Sequence, residues 1–227
     1  YLVRDNRTRS ALQSTVNSSD IPLLTGTIHT SFENNLRYYY NSSMFIIPQK
    51  KYELYSKIHL VPFAEYDLLP SIFHPLTKLN INIDRGNFKS GNNYKVFKHE
   101  NLLFSNLICY ESSIPKISRK FVSKGAEFLI IQANDGWLGS SFGPYQHFEL
   151  ARLRAIENRI PVVRCANTGI SGIINLDGSV KTKVKLNEEK IIYESFSTNK
   201  NGSFYTNYGD IFAIIISIIF LVVISYR

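Results

Sequence analysis

The segment LLFSNLICYESSIPKISRKFVSKGAEFLIIQAND, residues 102–135, decides the fold class. Its opening run, LLFSNLICY (102–110), is apolar and of strand length, and with KVFKHE (95–100) it reads as a pair of strands entering a core. The stretch SIPKISRKFVSKGAE then turns helical. Ser112 or Ser113 is placed to cap that helix, Pro115 suits an early position, Ile117, Phe121 and Val122 share one face, and Gly125 ends it. EFLIIQAND (127–135) follows, apolar enough for a strand covered on both faces. Strand, helix and buried strand in succession predict an α/β protein.

Working outward, DIPLLTGTIHT (20–30) and NLRYYYNSSMFII (35–47) are rich in β-branched and aromatic residues, with polar residues between them that turn a hairpin. YELYSKIHLVPF (52–63) is a third strand-like run, which places Lys57 on a strand. Residues 64–93 read as loop, broken by Pro70, Pro75 and the RGNFKSGNN cluster. On the other side, YQHFELARLRAIENR (145–159) is helical and PVVRCAN (161–167) is a strand. Asp177-Gly178, between extended segments, signals a second hairpin. The start, YLVRDNRTRSALQS, has neither an initiator Met nor a signal-like pattern and reads as the middle of a helix with Leu2 and Leu12 on its apolar side. We expect an N-terminally truncated chain.

Composition excludes several classes. With 227 residues, 44% of them hydrophobic, the chain is long enough for one sizeable core. Two cysteines make no disulfide framework, and no CxxC or spaced Cys/His set suggests a metal. The net charge of +8 is spread along the sequence, which reads as a solvated surface and gives no nucleic-acid footprint.

Each thiol therefore needs its own account. Cys109 falls at the end of a core strand and just before a helix, where unpaired N–H groups and the helix dipole favour a thiolate. On placement alone it reads equally well as a small buried hydrophobe, and Cys165, within VVRCAN, has only that second reading. A thiol attacking a carbonyl also needs a base and a cation or donor for the oxyanion. Lys57 is a candidate for the cation, although alone a strand lysine is usually a solvated side chain.

Four strings in order sharpen the reading. KIHLVPFAEY (57–66), LICYE (107–111), ANDGWLGSSFGPYQHFELARLRAIENRIPVVRCANTGISGIINLDG (133–178) and TNYGDIF (206–212) together resemble the catalytic domain of the apolipoprotein N-acyltransferases, a membrane-anchored branch of the nitrilase superfamily. The resemblance covers nearly all of the chain from about residue 20 onward. It implies a nitrilase-like α-β-β-α sandwich over residues 1–204 and a membrane segment over 205–227. It also implies a Glu–Lys–Cys triad in which Cys109 is the nucleophile and Lys57 steadies the tetrahedral intermediate. Glu65, Tyr110 and Glu111 match supporting positions of the site. The general base of that branch belongs to a Trp-Pro-Glu type segment preceding Tyr1, so neither Glu65 nor Glu111 takes its role. The implied reaction moves an acyl chain from a phospholipid, through a cysteine thioester, to the α-amine of a diacylglyceryl apolipoprotein. It requires no cofactor, and the enzyme would work as a monomer. Two other classes carry part of the pattern: a soluble nitrilase-type amidase, and a membrane-bound fragment left inactive without its base.

The loop NDGWLGSSFGPYQHF (134–148) brings Trp137, Phe142 and Tyr145 either to an acyl-chain pocket or membrane interface or to ordinary packing under the following helix. His147 reads as structural, and Arg152, Arg154 and Glu157 as helix-surface and strand-anchoring ion pairs. The tail IFAIIISIIFLVVISYR has 16 uncharged residues from Ile211 to Tyr226, roughly 24 Å of helix. With Tyr205, Tyr208 and Tyr226 at the interfaces it is expected to span a bacterial inner membrane. Asp210 and Arg227 at its ends put the catalytic domain on the periplasmic face.

Overall fold

A computed structural model describes residues 6–62, 64–66, 88–139 and 141–225. Leu2, Phe63, most of the loop expected at 64–93 with Pro70 and Pro75, and Tyr226 and Arg227 lie outside the described residues.

Helix α1 (Asn6–Ser19) leads into a long hairpin, β1 (Leu23–Glu33) and β2 (Leu36–Ile46), and then to the short strand β3 (Glu53–Ser56). These three strands form an antiparallel sheet in sequence order. A period of two along β2 sends its side chains to opposite faces. Met44 and Ile46 pack with Val16 of α1. Phe45 instead meets Phe97 and Phe104 of the second sheet, with ring centroids 5.5 and 5.0 Å apart.

The second sheet has six strands in sequence order: β4 (Phe97–His99), β5 (Leu102–Ile108), β6 (Phe128–Asn134), β7 (Val162–Asn167), β8 (Ser171–Ile174) and β9 (Val180–Val184). Its centre, β5-β6-β7, is parallel and its flanks are antiparallel. Parallel strands need crossovers, which are helix α2 (Pro115–Ser123) and helix α3 (Gly143–Asn158). Ile117, Phe121 and Val122 of α2 and Phe148, Ala151 and Ala155 of α3 join the core formed by the sheets. The layers run helix, sheet, sheet, helix, and the α/β expectation is met.

Three local expectations change. β5 stops at Ile108, because Cys109 opens a separate 3-10 turn, Cys109–Ser113. The residue capping α2 is therefore Ile114, with no side-chain cap, and Ser112 and Ser113 belong to the turn. Lys57 sits one residue beyond β3, where its N–H still donates to the Asn41 carbonyl at 2.8 Å.

After an irregular stretch come a short helix α4 (Phe204–Tyr208), capped by the Ser203 hydroxyl, and helix α5 (Ile211–Ser225). Every residue of α5 is exposed. Its 15 residues reach roughly 22 Å, against a hydrocarbon core of about 30 Å. Among the described residues no helix is long and apolar enough to cross a membrane. Over its described residues, the segment expected to span is an exposed apolar helix.

Candidate active site

The site begins at the elbow between β5 and α2. Cys109 has φ 52°, in the left-handed region, which for a residue with a Cβ costs about 1–2 kcal/mol. Three contacts hold it there. Ser112 Oγ donates to the Cys109 carbonyl at 2.8 Å, His147 Nε2 lies 3.1 Å from the same oxygen, and the Ile108 N–H donates to Glu111 Oε2 at 2.8 Å. The thiol is half-buried at the C-terminal end of a central parallel strand, the end at which open α/β sheets present their sites.

Glu111 ties this elbow to the segment carrying Lys57. It is fully buried, and its Oε1 accepts from the Tyr55 hydroxyl at 2.7 Å and from the Ile58 and His59 N–H groups at 2.8 and 3.1 Å. Burial pushes the Glu111 carboxyl above its ordinary range, and the donors from Ile108, Tyr55, His59 and Ile58 pull it partly back. Burial, and then the neighbouring Glu111 charge, drive the Tyr55 hydroxyl well up. The two residues after Lys57 are thereby fastened to the turn that begins at Cys109. Tyr110, next to the thiol, is 39% exposed with its ring 5.9 Å from that of His59.

Lys57 is 1% exposed, and its Nζ donates to Glu65 Oε2 at 2.6 Å. The Val61 N–H donates to the same oxygen at 2.7 Å, and Asn41 Nδ2 donates to Oε1 at 2.6 Å. A buried lysine without a partner would be costly. Glu65 supplies that partner and fixes the ammonium. Every carboxylate oxygen of Glu65 and Glu111 accepts at least one hydrogen bond, so both are engaged in holding the site together.

A buried chain of polar groups lies beneath the elbow. Arg164 donates to Asp135 Oδ2 at 2.7 Å, Asp135 Oδ1 is 2.8 Å from His147 Nδ1, and His147 Nε2 is 2.8 Å from Ser112 Oγ. Gly169 is required beside it, because a Cβ there would run into Asp135. Burial alone would raise the Asp135 carboxyl, but the His147 hydrogen bond and the Arg164 charge outweigh it and hold it below its ordinary value. Burial lowers the Arg164 guanidinium and the Asp135 charge partly restores it. His147 reaches the Cys109 backbone, which agrees with its reading as structural. Asp135 and Arg164 were missed. The signal for Arg164 was available: a charge inside the apolar strand PVVRCAN needs a buried partner. Arg164→Met should cost about 3–5 kcal/mol of stability in urea unfolding, because it removes the buried cation and leaves Asp135 Oδ2 without its donor, with only His147 still on Oδ1. The sign for Asp135 follows from its lowered value: its stabilisation is present above the unfolded carboxyl pKa and is lost as pH falls through the folded one. Asp135→Asn should therefore flatten the acid limb of the stability–pH curve.

Other side chains meet expectation only in part. Cys165 is exposed, so it is not the buried hydrophobe its strand suggested. Arg154 is buried at 2% exposure and pairs with Glu157 at 2.7 Å, while Arg152 pairs with Glu149 on the helix surface. Trp137 and Phe142 are 81% and 82% exposed, so they face solvent and are not packed under α3. Among the described residues no group of three or more His, Cys, Asp or Glu side chains is placed to hold a metal ion.

A profile of the carbon-nitrogen hydrolase family matches residues 3–203. The apolipoprotein N-acyltransferase of Rickettsia typhi is 35% identical over 222 residues, which cover 95% of this chain and 43% of that protein. The apolipoprotein N-acyltransferase of Geobacter metallireducens is 38% identical over 157 residues, 69% of this chain and 30% of that protein. The chain spans less than half the length of these relatives. Among solved structures, Nit3 of Saccharomyces cerevisiae, a member of branch 10 of the nitrilase superfamily, superposes with a TM-score of 0.58 at 21% identity, over 79% of this chain and 61% of that one. That likeness is one of fold. The profile runs through Lys57, Glu65, the Cys109 elbow and Arg164, and the chain belongs to the carbon-nitrogen hydrolase family.

Proposed function

We propose that this domain is an N-acyltransferase that moves a fatty acyl chain from a phospholipid to the α-amino group of an N-terminal diacylglyceryl-cysteine on an apolipoprotein. The observation that carries the reading is the Cys109 elbow, a half-exposed thiol held in a left-handed conformation and stitched through Glu111 to the Lys57 segment. The names of the relatives supply the substrate class.

In the first step the Cys109 sulfur attacks the ester carbonyl of the phospholipid, and its proton passes to a base. We assign the base to neither Glu65 nor Glu111, which match supporting positions of the family's site and accept the hydrogen bonds that hold it together. The Lys57 ammonium, steadied by Glu65, stabilises the oxyanion. The ester C–O bond then breaks, a proton returns to the leaving oxygen, and lysophospholipid departs. In the second step the α-amine attacks the thioester, the amide forms, and the thiol is regenerated with its proton. Removing an oxyanion donor typically costs about 10²–10³-fold in kcat. Lys57→Met should fall in that range with a smaller change in KM.

The exposed apolar helix α5 and the exposed Trp137 and Phe142 favour a membrane location, which we place at the periplasmic face of a bacterial inner membrane. The assay is transfer of a labelled acyl chain from phosphatidylethanolamine to a diacylglyceryl peptide, in membranes of cells expressing the natural gene. Transfer that depends on Cys109 supports the proposal. Cys109-dependent hydrolysis of small amides without acyl transfer would reassign the domain as an amidase.

A further inference from the structure

A second feature lies away from the Cys109 elbow, where α2 meets α4. A cavity of about 400 Å³ opens there, lined by Lys116, Arg119 and Lys120 of α2, by Thr206 and Asn207 of α4, and by Tyr94. The three cations fall at i, i+3 and i+4, one stripe of the helix. Ile117, Phe121 and Val122 occupy the opposite, buried face.

Among the described residues none of the three cations has an ion pair, although exposed lysines elsewhere in the fold do, such as Lys89 with Glu33. The acidic residues nearest to α2 in the chain are otherwise engaged, Glu111 in the elbow and Glu127 with Lys200, and so are Glu157 of α3 and Asp210 beside α4. Glu157 is paired with Arg154, and Asp210 interacts with the Tyr205 hydroxyl. Three unpaired cations around a concave site with hydroxyl and amide groups make a receptor for a phosphate-type anion.

The position of the cavity says which anion. The Arg119 guanidinium lies over Gly209, in the space a Cβ would fill, and Gly209, with φ 61°, is the residue that ends α4 and turns the chain toward α5. The apolar helix begins two residues later, at Ile211. Phe204 and Tyr208, 66% and 57% exposed, flank the same junction as interfacial aromatic side chains do. A cation pocket at the foot of an exposed apolar helix stands at headgroup depth once that helix enters a bilayer.

We propose that this cavity binds the phosphate of an anionic phospholipid and so seats the domain on the membrane beside α5. The inference deepens the proposed membrane location and rests on it.

The test is flotation of the full chain with vesicles of phosphatidylcholine alone and of phosphatidylcholine mixed with phosphatidylglycerol. Two charge-matched variants are compared, Lys116→Gln/Arg119→Gln/Lys120→Gln and, away from the cavity, Lys50→Gln/Lys51→Gln/Lys98→Gln. The natural chain should bind the mixed vesicles more tightly. Because each basic residue near an anionic surface is worth roughly a factor of five, the cavity variant should lose on the order of 100-fold of that preference, and the control much less. Equal losses in both variants would mean diffuse surface charge and overturn the pocket. Binding that ignores phosphatidylglycerol would overturn it as well, while leaving the membrane location standing. No flotation with either vesicle would overturn the membrane location and the pocket with it. The double variant Lys116→Gln/Lys120→Gln, at exposed positions, should melt like the natural chain and still lose preference. Potassium phosphate should displace the natural chain from the mixed vesicles more than potassium chloride does at equal ionic strength, because the free anion competes for the same cations, and should lose that advantage against the cavity variant. Equal displacement by the two salts would mean that the cavity holds no phosphate and overturn the pocket.

Discussion

Cys109→Ala should reduce acyl transfer to background, a loss of at least about 10⁴-fold, as expected when a covalent nucleophile is removed from a site whose parts act as a unit. Cys109→Ser should do no better, because a hydroxyl lacks the acidity and nucleophilicity of a thiol. Cys165→Ala should keep full activity, since Cys165 is exposed on β7 and the hydrogen bonds that hold the elbow come from other residues. Neither change at position 109 should disturb folding. The half-buried side chain only packs at the margin of the core, and the hydrogen bonds that hold the turn use its carbonyl. Activity surviving Cys109→Ala and lost in Cys165→Ala would show that the nucleophile is the other thiol.

The second large effect concerns Glu111. Glu111→Ala would strand the buried Tyr55 hydroxyl and Ile108 N–H and the partly buried Ile58 and His59 N–H groups. Each unsatisfied buried group typically costs about 1–3 kcal/mol. Partial access of water would relieve some of it, so a loss of about 3–5 kcal/mol in urea unfolding is expected. Transfer should fall further than the unfolded fraction explains, because the Lys57 segment is no longer fastened to the Cys109 turn. Glu111→Gln separates the two roles. It keeps the shape and one acceptor, so it should recover part of the stability, while the amide nitrogen now faces a donor and leaves the elbow loose. Activity restored fully by Gln would argue that the carboxylate only fills space.

How much of this was legible in the sequence depends on the scale of the physics involved. The strand–helix–strand reading of 102–135 held because β6 is almost continuously apolar and α2 keeps Ile117, Phe121 and Val122 on one face. The Asp177-Gly178 turn was read from local turn chemistry, and the long hairpin at 23–46 from runs of β-branched and aromatic residues with polar residues between them. The elbow itself was hidden. A left-handed Cys109 has no sequence signature, since the contacts that hold it come from Ser112 and from His147, 38 residues away. Glu111 and Glu65 were identified as site residues through the resemblance, but their actual work, gathering donors from distant segments, is tertiary and left no periodic trace. The ionic chain of Arg164 and Asp135 brings together residues 29 apart. Only the oddity of an arginine in an apolar strand announced it. The tail was legible in composition, and its described helix, Ile211–Ser225, matches the apolar run that hydropathy marks out.

The central claim, that Cys109 carries the acyl chain between donor and acceptor, is tested most directly by trapping the intermediate. Membranes containing the protein would be incubated with phosphatidylethanolamine without acceptor peptide, digested, and analysed by mass spectrometry with and without neutral hydroxylamine. The account predicts a fatty acyl adduct on the peptide containing Cys109, released by hydroxylamine as a thioester must be and absent in Cys109→Ala. An adduct on Cys165, or transfer to the acceptor peptide with Cys109 never acylated, would contradict it.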